Sequence, residues 1–256
     1  MSHTPNFSLA GRRALVIGGG SGIGRAIALG LAGAGAEVSV AGRRLAVLHD
    51  ACEAVRALGR GSVAHALDAS NVAQIDRLVA ELAAGDGVPD ILVAAQGVMA
   101  LKPSVDVDEA DYERQMDTNV KSVWFACTRF GRVMLDRGSG SIINISSMAS
   151  FRGFPRNSIY AVGKHGVRSI TESLAAEWAA QGVRVNAIAP GFFITDLNRD
   201  AMNEARRERA LARIPMARFG ALEELTGAAV FLASPAARYI TGITLPVDGG
   251  FLAIGL

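Results

Sequence analysis

The spacing of hydrophobic positions changes repeatedly along this chain. Short, nearly unbroken apolar runs recur at Ala14–Ile17, Glu37–Ala41, Ser62–Leu67, Ile91–Ala94, Ser141–Ile145, Arg184–Ala189 and Ile243–Val247. Between them lie stretches whose apolar residues return every three or four positions: Gly22–Ala34, Leu45–Leu58, Val72–Ala84, Asp108–Leu135, Ser158–Gln181, Leu197–Arg213 and Leu222–Leu232. The first set predicts strands and the second helices. Runs such as ALVI and SIINI have no alternating polar face, which predicts strands buried on both sides, as in a parallel sheet. Strand–helix alternation predicts an α/β fold, a doubly wound parallel seven-stranded sheet with helices on both faces. No Pro-, Gly- or Ser-rich linker and no internal repeat interrupts the pattern, so residues 1–256 are expected to form a single domain.

Composition narrows the function. Half of the residues are hydrophobic and 20% are charged, enough apolar surface to offset the entropy of ordering, which excludes a disordered chain. No apolar run approaches the roughly 20 residues of a membrane span, so no membrane partner is expected. The start, MSHTPNFSLAGRR, has no basic region followed by an apolar one, and no secretory signal is expected from it. Cys52 and Cys127 fall far apart in helical stretches, against a disulfide or zinc site and in keeping with a reducing cytoplasm; no metal is expected. The net charge of +2 is not concentrated anywhere. The most charged segment, Asn203 to Arg213, mixes both signs at helical spacing and reads as a solvated face, not a nucleic-acid surface.

The first predicted strand runs into Gly18-Gly19-Gly20-Ser21-Gly22-Ile23-Gly24 and then an alanine-rich helix. Glycine lets the backbone turn sharply there and approach a pyrophosphate, and the helix amino end supplies unpaired N–H groups and positive potential. A glycine turn without a ligand is the plainer alternative, but the strand–turn–helix context favours a phosphate cradle. After the second strand come Gly42, Arg43 and Arg44, where an NAD site places a carboxylate for the ribose 2′-OH. A guanidinium instead pairs with a 2′-phosphate, which favours NADP(H) over NAD(H), unless both arginines simply begin a solvated helix. Tyr160 and Lys164, four residues apart in a predicted helix, share one face, and a nearby ammonium favours the phenolate. Ser147 lies thirteen residues upstream of Tyr160, at the end of the fifth strand.

The spacing Gly18, Gly22, Gly24, joined to Ser147, Tyr160 and Lys164 and to Asn119 in MDTNV, resembles the short-chain dehydrogenase/reductase family, over essentially the whole chain from Ala10 to Gly250. The resemblance implies a Rossmann fold and an oxidoreductase that interconverts a ketone and a secondary alcohol. It implies that Tyr160 is the acid/base and that Lys164 binds the nicotinamide ribose and lowers the tyrosine pKa. Ser147 would bond the substrate oxygen, and Asn119 would hold a water linking Lys164 to solvent. The cofactor residues implied are Gly18, Ser21, Gly22, Ile23, Gly24, Arg43, Asp68, Ala69, Tyr160, Lys164, Pro190, Gly191, Phe193 and Thr195. Asp68 would contact adenine, although a helix-capping role fits the sequence equally. Two departures stand out: Ile17 replaces the usual Thr, and Ala94-Ala95-Gln96-Gly97 replaces Asn-Asn-Ala-Gly.

Residues at about 195–215 correspond to the family's mobile substrate lid, rich here in Arg199, Arg206, Arg207 and Arg209. These arginines either receive an anionic group or form a solvated helix. The pieces FFITDLN, RIPMARFGALEEL and PVDGG resemble the sugar-acid and polyol branch, such as gluconate 5-dehydrogenase. A small polar keto-sugar, sugar acid or polyol is therefore expected. A 3-oxoacyl thioester or a hydrophobic ketone is the alternative, with Met99, Phe151, Phe154, Phe192 and Phe193 as an apolar wall. A reading of another class is an NADP(H)-binding regulatory protein without turnover; the intact Ser147, Tyr160 and Lys164 weigh against it. The resemblance also implies a homotetramer or homodimer, with Trp124 and Trp178 on the helices that pair between subunits. His165 is expected to play a packing or surface part only.

Overall fold

A computed structural model describes residues 5–85, 87–196, 199 and 202–254. Seven strands form one sheet: β1 (Arg13–Ile17), β2 (Glu37–Gly42), β3 (Ala64–Ala66), β4 (Ile91–Ala94), β5 (Gly140–Ile145), β6 (Val183–Pro190) and β7 (Thr244–Val247). Their order is β3-β2-β1-β4-β5-β6-β7 and every pairing is parallel. Parallel neighbours need long crossovers. These are supplied by α1 (Gly22–Gly33), α2 (Leu45–Ala57), α3 (Val72–Ala84), α4 (Glu109–Met116), α5 (Ser122–Arg137), α6 (Ser158–Trp178), α7 (Glu204–Leu211) and α8 (Thr226–Ala233).

The unbroken apolar strands are explained by two cores. Leu15 and Ile17 of β1 join Ile75 and Leu78 of α3, Phe130 and Met134 of α5, and Leu174 of α6 on one face. Ala14 and Val16, the alternate positions, join Ile27 and Leu31 of α1, Leu48 and Val55 of α2, and Leu232 of α8 on the other. Side chains along a strand alternate in direction, so burial on both faces removes any polar position.

Three helices differ from expectation. The single helix expected over Asp108–Leu135 contains a π-helical turn, Asp117–Lys121, between α4 and α5. Asn119, whose side chain bonds the Val98 backbone, lies in this turn. Within the stretch expected to be helical over Leu197–Arg213, the described residues hold α7, whose start is capped by the Asn203 side chain accepting a hydrogen bond from Arg206 N at 3.0 Å. Residues 197, 198, 200 and 201 lie outside the described residues. The last expected helix, Leu222–Leu232, opens with a 3-10 turn, Leu222–Leu225, before α8.

Trp178 does not lie on an outer helix surface. It is buried, and its ring fills the space beside Gly131 of α5, whereas Trp124 is 41% exposed. Cys52 and Cys127 are both free and buried. Among the described residues, no helix is long and apolar enough to cross a membrane, and no group of His, Cys, Asp or Glu is placed to hold a metal ion.

Candidate active site

The sheet order reverses at β1, which has β2 on one side and β4 on the other. Crossovers leave in opposite directions from such a point and open a crevice at the carboxyl ends of the strands. A cavity of about 450 Å³ occupies that position. All fourteen residues expected to bind a dinucleotide line it, from Gly18, Ser21, Gly22, Ile23 and Gly24 through Arg43, Asp68 and Ala69 to Tyr160, Lys164, Pro190, Gly191, Phe193 and Thr195.

The floor of the cavity is a turn in which side chains do not fit. Gly18 has φ +81°, and a methyl group on it would lie 2.9 Å from the Ala95 carbonyl carbon and from Gln96 N. A methyl on Gly24 would meet the Gly18 carbonyl oxygen. The turn therefore holds the amino end of α1 against the carboxyl ends of β1 and β4, with its first N–H groups available to a phosphate. Ile17, where Thr was the family's usual residue, is a buried core residue. The cradle and the switch-point crevice fit a dinucleotide.

At the end of β2, Arg43 and Arg44 both line the cavity. Arg44 Nη2 donates to Ser21 Oγ at 3.4 Å, joining the base of α2 to the phosphate turn; the sequence reading had singled out Arg43 alone. Asp68 Oδ1 accepts Ser70 Oγ at 2.7 Å and Ser70 N at 3.0 Å. The Ser70 hydroxyl, and more weakly the positive charge of Arg43, hold the Asp68 carboxyl below its ordinary value. Gln96, in the departure from the family pattern, donates from Nε2 to Ser122 Oγ at 3.0 Å.

Three chemical groups converge on the inner end of the cavity. Ser147 follows β5, is buried, and accepts Ala149 N at 3.1 Å. Tyr160 and Lys164 project from the first two turns of α6. Loss of hydration pushes the Tyr160 phenol above its ordinary value, and a hydrogen bond with Ser147 pulls it back. Lys164 is also buried; its Nζ donates to the Ile145 carbonyl at 2.8 Å and lies 5.6 Å from the Tyr160 ring centroid. Burial pushes this amine down to about 8. Burial raises the phenol, and Ser147 is the group that opposes the rise.

Asn119 sits in the π-helical turn with both ends of its amide engaged by one residue. Val98 N donates to Oδ1 at 3.0 Å, and Nδ2 donates to the Val98 carbonyl at 2.9 Å. A methyl on Gly97 would lie 3.1 Å from Asn119 Oδ1 and 3.5 Å from Lys164 Nζ, so both groups face the same narrow gap. Asn119 itself does not line the cavity, whereas Arg114, Asp117 and Thr118 do. Their spacing places them on one face of the α4 end, a helical pattern that was available in the sequence but had no motif to draw it out.

The aromatic residues divide. Met99 and Phe193 line the cavity, while Phe154 and Phe192 belong to an adjoining aromatic series and Phe151 packs beneath Arg168 at 4.8 Å. His165 is exposed on α6, and its Nδ1 lies 2.9 Å from the Ala161 carbonyl.

Residues 18–252 match the family Enoyl-(Acyl carrier protein) reductase. The chain is 40% identical to a 2-dehydro-3-deoxy-D-gluconate 5-dehydrogenase of Bacillus subtilis, over 96% of this chain and 97% of that one. The chain belongs to the short-chain dehydrogenase/reductase family. A galactitol 2-dehydrogenase of Rhizobium johnstonii is also 40% identical, over 98% of this chain and 99% of its own. The solved gluconate 5-dehydrogenase of Burkholderia cenocepacia, in complex with NADP and tartrate, superposes with a TM-score of 0.94 at 36% identity, covering 98% of this chain and 99% of that one. The chain is accordingly an NAD(P)(H)-dependent oxidoreductase.

Proposed function

We propose that this protein is an NADP(H)-preferring dehydrogenase that interconverts a ketone and a secondary alcohol on a small polar keto-sugar, sugar acid or polyol. The observation that carries the reading is the meeting of Ser147, Tyr160 and Lys164 at the inner end of a dinucleotide-sized cavity. The substrate class rests on the relatives, which act on sugar acids and polyols. The NADP(H) preference rests on Arg43 and Arg44 standing where a carboxylate would repel a 2′-phosphate.

The glycine turn and the amino end of α1 hold the pyrophosphate, Arg43 and Arg44 the 2′-phosphate, Asp68 and Ala69 the adenine, and Pro190, Gly191, Phe193 and Thr195 the nicotinamide end. NADP(H), when bound, supplies or accepts a hydride at the substrate carbon. Ser147 and Tyr160 bond the substrate oxygen. In reduction Tyr160 gives its phenolic proton to that oxygen; in oxidation it takes the proton of the alcohol. Lys164 places a positive charge beside the phenol while it is ionised, and Asn119 fixes the backbone at Val98 beside the gap through which Lys164 exchanges its proton.

The reading also includes a single catalytic domain over 1–256 in the cytoplasm and a homotetramer or homodimer, with α5 and α6 presenting exposed Trp124 and Val162. Light scattering tests the assembly, and a monomer would overturn it. Turnover is tested by following oxidation of NADPH and NADH with 5-ketogluconate, other keto-sugars, an acetoacetyl thioester and a bulky aryl ketone. A keto-sugar turned over with NADPH by the wild type but not by Tyr160→Phe is the expected result. Turnover confined to the thioester or aryl ketone would overturn the substrate class.

A further inference from the structure

The run Ala94-Ala95-Gln96-Gly97 puts an amide within reach of the π-helical turn. Gln96 lines the cavity just after β4, and its Nε2 donates to Ser122 Oγ at 3.0 Å. Ser122 Oγ in turn donates to the Thr118 carbonyl at 2.6 Å. A hydroxyl has one proton and a carbonyl only accepts, so the Ser122 proton goes to Thr118 and Gln96 has to present the NH2 end of its amide. That orientation leaves Gln96 Oε1 buried and without a hydrogen-bond partner among the described residues. An acceptor in that state costs stability, which the bond at the other end of the amide has to offset.

These bonds end where the helical register changes. Ser122 N donates to the Asp117 carbonyl, five residues back, and not to Thr118 as in an α-helix. The Ser122 hydroxyl takes the place of that N–H at the Thr118 carbonyl. Asn119, inside the wider turn, is held at Val98 by bonds of 3.0 and 2.9 Å. Its other side is pressed against α6: a methyl on Gly163 would lie 3.1 Å from Asn119 Cβ, and Gly163 directly precedes Lys164. Gln96 and Val98, two residues apart in the segment after β4, thus hold the same turn at Ser122 and at Asn119.

We propose that Gln96 is a positioning residue for the reaction: through Ser122 it holds the π-helical turn, and so keeps Asn119 and the Val98 backbone at the gap beside Lys164. The proposal rests on the reading of this chain as a dehydrogenase in which Tyr160 and Lys164 handle the proton. A π-helical turn interrupts the regular ladder of a helix, and contacts from outside the helix decide where it stays. Here the outside contacts are the amide of Gln96 and the backbone of Val98. The gap they define is narrow, since a methyl on Gly97, between them in sequence, would lie 3.1 Å from Asn119 Oδ1 and 3.5 Å from Lys164 Nζ. Without the donor at Ser122 the turn keeps one attachment of two, and the gap loses its fixed width. The phosphate turn and Arg43 do not take part in these bonds, so cofactor affinity is separable from them.

The test compares the wild type with Gln96→Met, Ser122→Ala, the double variant and, as a control beyond the far end of α6, Gln181→Met. It measures amide hydrogen exchange over residues 97–123, NADPH affinity by fluorescence titration, and kcat and KM for whichever ketone of the panel above the wild type reduces fastest. Methionine replaces the amide by an apolar chain of similar length. Both single variants are expected to exchange faster at Val98 and across residues 117–121, and to lose about tenfold in kcat with KM and NADPH affinity within about threefold. Gln96 and Ser122 act as one chain, so the double variant should lose no more than either single one. Gln181→Met should match the wild type. Ser122→Ala, which removes one oxygen atom, carries the test alone if Gln96→Met does not fold. Unchanged exchange, an unchanged kcat, or a loss confined to KM or to NADPH affinity would overturn the proposal and leave the dehydrogenase reading standing. A wild type that reduces no ketone of the panel would overturn that reading, and the proposal with it.

Discussion

Lys164 donates from Nζ to the Ile145 carbonyl at 2.8 Å, a bond that holds a buried amine of α6 against the end of β5. Burial brings this amine down to about 8 from an ordinary value of 10.5. A folded-state value below the unfolded one means that the folded protein binds fewer protons between those two limits, so stability gains with rising pH across that window. The charged amine opposes folding below about 8. Lys164→Met is therefore expected to stabilise the cofactor-free protein at neutral pH, by on the order of 3 kcal/mol at most, and so to raise its thermal midpoint, while abolishing turnover. Thermal unfolding of both proteins on either side of that value checks it: the advantage of the variant should shrink as pH rises. An equal difference at all pH values would contradict the assignment.

With Tyr160 as the proposed acid/base, reduction would use the protonated phenol and oxidation the phenolate, and burial raises the phenol above its ordinary value. Ketone reduction is thus expected to hold level through neutral pH and fall in the alkaline range, while alcohol oxidation rises there. Ser147 opposes the rise. Ser147→Ala should therefore displace both limbs to higher pH and lower kcat by about a hundredfold, since it also removes a donor to the substrate oxygen. Profiles of kcat against pH in both directions separate the two effects. A Ser147→Ala profile displaced to lower pH would contradict the hydrogen bond.

Much of this arrangement is written in local patterns. The split of β1, with Leu15 and Ile17 on one core and Ala14 and Val16 on the other, is the physical content of an apolar run without alternation. The glycine turn was legible because Gly18 and Gly24 answer a backbone requirement that no other residue meets. Features set by contacts distant in sequence were not legible. The π-helical turn at Asp117–Lys121 accompanies a bond from Asn119 to Val98, which belongs to another element. The start imposed on α7 by Asn203 depended on one capping side chain competing with a longer helical pattern. Arg44 has no counterpart among the cofactor residues that the family resemblance implies, and only the fold places it beside Ser21. Trp178 illustrates the same limit: its helix position did not reveal that Gly131 makes room for it.

Arg43 lines the dinucleotide cavity near enough to Asp68 to help hold that carboxyl ionised. In the proposed reading, its removal takes away a partner of the 2′-phosphate but nothing that a 2′-hydroxyl needs. Arg43→Ala is expected to weaken NADPH binding by about tenfold to a hundredfold and NADH binding by less than about threefold. Arg44→Ala is expected to act in the same direction, with an added loss common to both cofactors because its contact is with Ser21 in the pyrophosphate turn. Fluorescence titrations of the two variants with each reduced cofactor measure this directly. Parallel losses for NADPH and NADH in Arg43→Ala would refute the role in discrimination.

Gly131 of α5 faces the Trp178 ring of α6, and a methyl group there would lie 2.6 Å from it. Real carbon contacts do not approach that distance, and Trp178 is packed among Phe130, Leu174 and Val183 in the same core, so it has little room to withdraw. Gly131→Ala has two opposed effects. Alanine favours the helical conformation over glycine by roughly 0.5–1 kcal/mol, whereas overpacking a filled core costs about 1–3 kcal/mol. Overpacking should win, giving a net loss of about 1–2 kcal/mol and a changed tryptophan emission from the displaced ring. The pair Gly131→Ala with Trp178→Phe supplies a control, because the smaller ring frees the space that the methyl needs. In that background the added alanine should cost less, so a double-mutant cycle read from denaturant unfolding should give coupling between the two sites. Additive losses would mean that the helices part at this point without help from Trp178.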